Sequence, residues 1–393
     1  MEDGVRMGIK SAGEEVLKQL AVAGYDAYFV GGIVRDAWLG HEIYDTDITT
    51  NATPEVVKSI FEKTIDTGLE HGTVTVVIDD VKVEVTTFRF DGVYLDNRRP
   101  DGVRFSRSLL EDLARRDFTI NAMAQGQDGM IIDPFNGVCD LKAGIIRAVG
   151  HPETRFKEDA LRILRGIRFV AKLGFDIEPQ TLLAMEKCRH LLAGLSLERI
   201  RKEFEGMIEG DYKAKAFEIM LNYELFDDIP YFSGLCQYRI EVFSKLDDFK
   251  LMLLFVVESC GDAALFLINY PLTRGEKKLL KDIEVIYTNF NFYQEKEKEI
   301  LIQYYFGLET AKIIKKYQSI RDNVDFTFTE YKLPIASRRD LLIQPEEVIK
   351  QSGDSPGAWV GRLFAEIEKA VLLSKIGNNY EELVVFIKER GIF

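Results

Sequence analysis

Val30-Gly31-Gly32-Ile33-Val34-Arg35-Asp36, followed closely by Asp45-Thr46-Asp47-Ile48-Thr49, is the stretch on which the reading of this chain turns. Two glycines ahead of a predicted helix let the backbone come close to a ligand. Free N–H groups, backed by the helix dipole, then face phosphate oxygens. The Gly-Lys-Ser/Thr end of a Walker A loop is missing, as is the third glycine of a dinucleotide fingerprint, and a lone Gly-Gly pair is more often a turn. Asp45 and Asp47, two apart on a predicted strand, project to one face, where paired hard oxygens suit Mg²⁺ carrying substrate phosphates; an Asx turn gives the same pattern. Glu84, in Lys82-Val83-Glu84-Val85-Thr86, reads as a buried acid within a strand and in need of a partner. Three acids can share two ions, and two metals roughly 4 Å apart can activate a hydroxyl, clamp an α-phosphate and stabilise departing pyrophosphate. On this reading Asp45 and Asp47 are the metal ligands, and Glu84 completes the catalytic set.

Outward from this stretch, short β-branched runs predict strands at Tyr28 to Val30, Asp47 to Thr49, Val74 to Ile78, Val81 to Thr87 and Met130 to Asp133. Helices are expected over Ala12 to Ala23, Val34 to Trp38, Pro54 to Phe61 and Arg116 to Met123. After Gly150 the strand signals nearly vanish. Amphipathic patterns such as Phe156 to Leu173, Pro179 to Lys187, Leu197 to Glu209 and Tyr212 to Leu221 take over. The expectation is an α+β domain over 1–145, then helical segments 146–205, 206–320 and 321–393, packed end to end as one elongated body.

The chain has 393 residues, 46% hydrophobic, enough for a large core and more than one domain. No apolar run is long enough to span a membrane, and Met1-Glu2-Asp3-Gly4 lacks the basic-then-apolar layout of a secretion signal, so a cytoplasmic protein without a membrane partner is expected. Cys139, Cys188, Cys236 and Cys260 lack zinc-site spacing and read as reduced core thiols. A formal charge of −13 argues against indiscriminate nucleic-acid binding. It leaves room for a local track, and between Arg89 and Arg168 arginine crowds out lysine, as suits bidentate contacts to phosphates and base edges.

Gly31-Gly32-x-Val34-Arg35-Asp36-x-x-Leu39-Gly40, the Asp45-x-Asp47 pair and Arg115-Arg116-Asp117-Phe118-Thr119-Ile120-Asn121-Ala122 together resemble the class II tRNA nucleotidyltransferases. Asp133-Pro134-x-x-Gly137-x-x-Asp140-Leu141 and Glu158-Asp159-Ala160-Leu161-Arg162 continue the family's motif order, and the similarity runs through the whole chain. The resemblance implies a catalytic head of the DNA polymerase β-like nucleotidyltransferase type over 1–145, a helical neck selecting the base over 146–205, a tRNA-binding body over 206–320, and a tail reaching the tRNA elbow over 321–393. It implies two Mg²⁺ ions, ATP and CTP as substrates, and the 3′ acceptor end of tRNA as partner. Gly32, Arg35, Arg116, Asp117 and Asn121, with Arg165 and Arg168, fall to the nucleotide's phosphates and ribose.

Base choice follows from hydrogen-bond chemistry. Cytosine and adenine both present an exocyclic amino donor beside a ring-nitrogen acceptor, so a carboxylate and a guanidinium can imitate a Watson–Crick partner for either, whereas guanine and uracil reverse the pattern. On one predicted helix, spacings of three keep Asp159, Arg162 and Arg165 on neighbouring turns. The resemblance assigns the template to Asp159 and Arg162, with Glu158 orienting Arg162. Asp91 to Gly102, including Asp96, Arg98 and Arg99, is rich in turn formers and reads as the flexible loop that family members adding A retain.

In the last segment Ser355 and Pro356 are expected to open a helix, Trp359 to anchor a core, and Lys332, Arg338, Arg339 and Arg362 to meet tRNA phosphates. An A-adding enzyme with a separate CC-adding partner, a bacterial poly(A) polymerase and a noncatalytic RNA-binding protein are the rival readings. The last is disfavoured because Asp45, Asp47 and Glu84 all stand. Monomer and homodimer fit the sequence equally.

Overall fold

The structure, a computed structural model, describes the backbone of residues 3–91, 103–290 and 292–392. Two compact units emerge, residues 1–249 with 259–261, and residues 250–258 with 262–393. The first holds the expected head and neck segments together.

The first unit starts with helix α1 (Asp3–Val22), followed by β1 (Ala27–Val30), α2 (Gly32–Leu39), β2 (Asp47–Thr50), α3 (Pro54–Ile60), β3 (Thr64–Gly68), β4 (Thr73–Ile78) and β5 (Val81–Thr87). Next come the ribbon β6 (Arg89–Asp91) and β7 (Val103–Phe105), then α4 (Leu109–Ala114), β8 (Ala124–Gln125) and β9 (Ile131–Ile132). The seven-stranded sheet has the order β3-β4-β5-β2-β1-β8-β9 and is mixed, with β2 and β5 parallel and its other pairings antiparallel. Its hairpin β4–β5 turns on Asp79 and Asp80, both at positive φ (47° and 64°), the conformation a two-residue primed turn demands. Along β5 the side chains alternate, with Val83 and Val85 buried and Lys82 and Glu84 exposed. Each buried valine contributes about 1.5–3 kcal/mol relative to exposure. Helix α1 buries Val16, Leu17 and Leu20, and Gly13 lets it lie close, because a Cβ there would stand 2.6 Å from the Phe29 ring.

The expected α-helix over Arg116 to Met123 is absent. Phe118 is extended and only Thr119–Asn121 forms a 3₁₀ turn. Helical hydrogen bonds lose here to bonds made outward: Thr119 N–H donates to the Arg147 carbonyl and Val149 N–H to the Asp117 carbonyl, while the Asp117 carboxylate accepts from Phe118 N–H. Strand β3, helix α4 and the β6–β7 ribbon escaped the sequence reading.

Beyond the sheet come α5 (Gly137–Ala143), β10 (Ile145–Ile146), α6 (Pro152–Glu158), α7 (Leu161–Leu173), β11 (Asp176–Ile177), α8 (Pro179–Cys188) and α9 (Leu197–Ile208). The single helix expected over Phe156 to Leu173 is thus two helices, and the neck is not wholly helical, since β10 and β11 pair in parallel. From Pro179 onward no strand occurs among the described residues. Buried rings of Phe204, Phe217, Phe226, Phe232 and Phe243 stack on one another within this unit.

The second unit is helical, with a core that includes Leu301, Ile314, Ile343, Phe364, Ile367 and Ile387. Trp359 packs partly buried against it, as an anchor should. Its helix begins at Ala358 with Gly357 as cap, so Pro356 does not open it and Ser355 is not the cap; the Ser355 carbonyl instead accepts the Trp359 Nε1–H (3.0 Å). The cysteines are free, but only Cys188 is a core thiol; Cys139 and Cys236 are exposed. No helix among the described residues is long and apolar enough to cross a membrane.

Candidate active site

Parallel pairing of β2 with β5 sets Asp47 directly opposite Glu84. Asp45 lies just ahead of β2 rather than on it, and both Asp45 and Glu84 are exposed; Glu84 sits on the open face of its strand, not buried in it. Asp47 is half-buried. Its carboxyl is pushed up to about 6, by burial first and then by the nearby charges of Glu84 and Asp45, with Arg116 opposing them. Three carboxylates facing one guanidinium form a locally negative corner of hard oxygen donors, a chemistry that fits a divalent cation such as Mg²⁺. Among the described residues they are neighbours and not a closed cage: no three His, Cys, Asp or Glu side chains converge as a ready-made ion site.

Gly31 stands between this corner and Arg116. Its φ of 73° belongs to glycine, and a Cβ there would lie 3.3 Å from Arg116 Nη1 and 3.7 Å from Asp47 Oδ2. The glycine therefore leaves an acid and a guanidinium facing one gap at the N-terminus of α2, and at Gly32 a Cβ would meet only Arg35 Nη2, at 3.6 Å. Arg116 is aimed by Asp112, which is fully buried and accepts from Arg116 Nη2 (3.1 Å), Arg115 Nη2 (2.8 Å) and the Thr49 hydroxyl (3.2 Å). The two guanidiniums hold the Asp112 carboxyl below the usual range despite its burial. Arg116 Nε is buried without a hydrogen-bond partner among the described residues.

Beside Arg116 a second network runs through Asp117. Its carboxylate takes Arg165 (2.8 Å), Asn121 Nδ2 (3.1 Å) and the Phe118 N–H (2.8 Å), which together hold it down to about 2 although burial works the other way. Asn121 Oδ1 accepts from Arg35 Nη1 (2.6 Å), and the remaining arms of Arg35 clasp Asp36, to which Lys172 also reaches (3.3 Å). Arg35 is 4% exposed and engaged on three nitrogens, so it braces Asn121 and offers no free cation. The guanidiniums of Arg35, Arg165 and Arg168 all lie within 6 Å of the Phe169 ring centre. Arg168 is paired with buried Glu203 of α9 (3.0 Å), and Gly206 makes room for it. The Asp133 to Asp140 motif is a brace: Asp133 accepts from Gly137 and Val138 N–H, and Asp140 ties the Thr119 hydroxyl to Arg147.

Asp159, Arg162 and Arg165 do not share one helix: Arg162 and Arg165 lie on α7, but Asp159 precedes it. Asp159 is extended (φ −149°, ψ 103°) at the break between α6 and α7. Arg162 donates to Glu158 Oε2 (2.8 Å) and to the carbonyls of Arg155 (3.2 Å) and Arg115 (2.9 Å), which fixes its plane. Asp159 Oδ1 accepts from Leu161 N–H (3.1 Å) and Oδ2 from Arg199 of α9 (2.7 Å). Asp112, Lys172, Arg199 and Glu203 were missed by sequence reading. The i, i+3 and i, i+4 spacing of Asp112 to Arg115 and Arg116 was the available signal for the first. Asp91 ends β6, while Asp96, Arg98 and Arg99 lie outside the described residues.

In the second unit Lys332, Arg339 and Arg362 are exposed, whereas Arg338 is held by the buried carboxylate of Glu368 (2.5 Å), which also accepts from the Tyr304 hydroxyl (2.8 Å).

Residues 27–147 match the poly(A) polymerase head domain, 174–235 the probable RNA- and SrmB-binding site of polymerase A, and 247–387 the putative tRNA nucleotidyltransferase domain 2. The chain is 37% identical over 387 residues to the CCA-adding enzyme of Enterococcus faecalis and 40% identical over 389 residues to that of Lactobacillus gasseri, covering 95% of each chain in both cases. The crystal structure of the Bacillus stearothermophilus CCA-adding enzyme in complex with CTP superposes with a TM-score of 0.79 at 34% identity, covering 96% of both chains.

Proposed function

Because the chain belongs to the CCA-adding enzymes, class II members of the tRNA nucleotidyltransferase and poly(A) polymerase family, we propose that it adds and repairs the 3′-terminal CCA of tRNA from CTP and ATP without a nucleic-acid template, in the cytoplasm. The observation that carries this reading is the gap beside Gly31, walled by Asp47 on one side and by Arg116 on the other. A nucleoside triphosphate set there meets N–H groups and a guanidinium at its phosphates, and acids beside its α-phosphate.

Asp45 and Asp47 would hold Mg²⁺, with Glu84 beside the primer hydroxyl. The ions supply activation of that hydroxyl and neutralisation of the departing pyrophosphate. Arg116, with Nε still unpartnered, binds phosphate; Asp117 and Asn121 hold the ribose, and Arg35 keeps Asn121 in place. Arg165 and Arg168, stacked about Phe169, extend the cationic wall along the triphosphate. Asp159 accepts from the amino group of C or A, and Arg162, its plane set by Glu158, donates to the ring nitrogen. Residues 1–145 serve as the catalytic head and 146–205 as the base-selecting neck; 206–320 and 321–393 carry the tRNA. The segment from Asp91 to Gly102 serves the change from C to A addition.

The test is incorporation on tRNA acceptors ending before CCA, after C and after CC, with each of the four nucleoside triphosphates and Mg²⁺. Stepwise C, C, then A with termination supports the proposal. Addition of A only after CC makes this one enzyme of a pair, and unlimited A tails assign it to poly(A) synthesis.

A further inference from the structure

Helix α9 contributes two side chains to the wall of the site, one turn apart: Glu203, paired with Arg168, and Arg199, paired with Asp159. The second contact falls on the residue read above as the acceptor for the incoming base. Asp159 has no helix to hold it, because it sits at the break between α6 and α7, and its carboxylate is fixed from two sides. Leu161 N–H holds Oδ1 at 3.1 Å and Arg199 Nη2 holds Oδ2 at 2.7 Å. Both side chains of the pair are partly exposed, 30% for Arg199 and 21% for Asp159, so the contact borders on space that a ligand can reach. Arg162, by contrast, is held by Glu158 and two backbone carbonyls.

We infer that Arg199 is a specificity-determining positioning residue: by holding Oδ2 of Asp159 it fixes the direction in which the carboxylate presents its remaining lone pairs to the base. This rests on the reading of Asp159 as base acceptor. A carboxylate oxygen accepts more than one hydrogen bond, so Arg199 stays in place while an amino group of cytosine or adenine donates from the open side. Uracil and guanine present a carbonyl oxygen at that position, which meets the fixed carboxylate acceptor to acceptor. Without Arg199 the carboxylate of Asp159 is held through Oδ1 alone, by the Leu161 N–H, so Oδ2 can swing about that one contact and the wrong base no longer meets a fixed acceptor. Arg199 touches no base and no phosphate in this arrangement.

The experiment compares kcat/KM for CTP against UTP on a tRNA acceptor lacking CCA, and for ATP against GTP on one ending in CC. Arg199→Ala is expected to lower both selectivity ratios about tenfold, chiefly through a higher KM for the correct nucleotide, and Arg199→Lys to restore part of the loss. Arg201→Ala, on the same helix but paired with Glu205, is the control and should leave the ratios unchanged. Asp159→Ala is measured in parallel. If it changes selectivity and Arg199→Ala does not, the inference about Arg199 is overturned and the template reading survives. If Asp159→Ala leaves selectivity intact, the template reading falls with it. An equal loss of rate with all four nucleotides, without a change in ratio, assigns Arg199 a merely structural role and overturns the inference. Where Arg199→Ala does not fold, by thermal melting, Arg199→Gln is read by the same criteria.

Discussion

Two clusters of carboxylates sit in the same unit, and they are wired oppositely. Around Asp47 the acids outnumber the cations, and its carboxyl is driven up to about 6. Around Asp117 the carboxylate is met by Arg165, Asn121 and a backbone N–H, and is driven down to about 2. The first corner holds unneutralised negative charge and is suited to receive cations. The second is already neutralised, so it calls for no cation and stands as a rigid support on which, in the proposed reading, the ribose rests. Two carboxyls of equal formal charge are thus driven in opposite directions by what their neighbours supply.

The contrast breaks most sharply in activity. Asp47→Ala should lower nucleotide incorporation about 10⁴-fold, or ~5 kcal/mol in the barrier, while tRNA binding measured by filter retention stays nearly intact. Loss of tRNA binding would place Asp47 in the RNA grip and not at the metal. Asp117→Ala should act on the fold instead: it strands the Phe118 N–H and the Asn121 amide, and we expect a loss of about 3 kcal/mol in urea unfolding.

The two acids should also give pH profiles of opposite sign. Asp117 has a depressed carboxyl, so its contribution of about 2 kcal/mol is present above its ordinary value near 4 and fades as pH falls towards 2. Asp47 has a raised carboxyl, so the folded state loses stability as pH rises from about 4 to about 6 and keeps that penalty above. In metal-free buffer at pH 7.5 Asp47→Asn should therefore be more stable than the parent by about 2 kcal/mol, with no difference below pH 4. Added Mg²⁺ should shrink the gap. Lys58→Ala, which removes an exposed pair with Asp66 far from either cluster, should change stability by less than about 0.5 kcal/mol and calibrates the comparison.

What the sequence disclosed followed from local pattern. The alternation along Val81 to Thr87 and the glycine pair that opens α2, Gly31 as its cap and Gly32 as its first residue, are written in consecutive residues. The helix over Arg116 to Met123 failed because its backbone groups bond to residues 147–149, which no local window sees. The single helix through Asp159 failed for a related reason: amphipathic period alone does not reveal a break of one or two residues. Arg199 and Glu203 were hidden because an i, i+4 charge pair on an amphipathic helix looks like a solvated face until the partner helix is in place. Glu84 was found for its position and misread for its burial. Arg35 was singled out by motif, and only the folded chain reveals that three nitrogens of its guanidinium are already engaged by Asp36 and Asn121.

The pairing of Asp47 with Glu84 is a backbone register, four consecutive residue pairs from Asp47–Glu84 to Thr50–Thr87. Core residues such as Ile48, Val83 and Val85 can therefore drift among similar shapes over evolutionary time without altering which two acids face one another. Inserting or deleting one residue within either strand is different in kind, since it turns every following side chain to the opposite face and parts the acids in the same event. Lineages carrying this sheet should exchange one apolar residue for another at the buried positions of these two strands, keep the two acids, and change the length of either strand almost never.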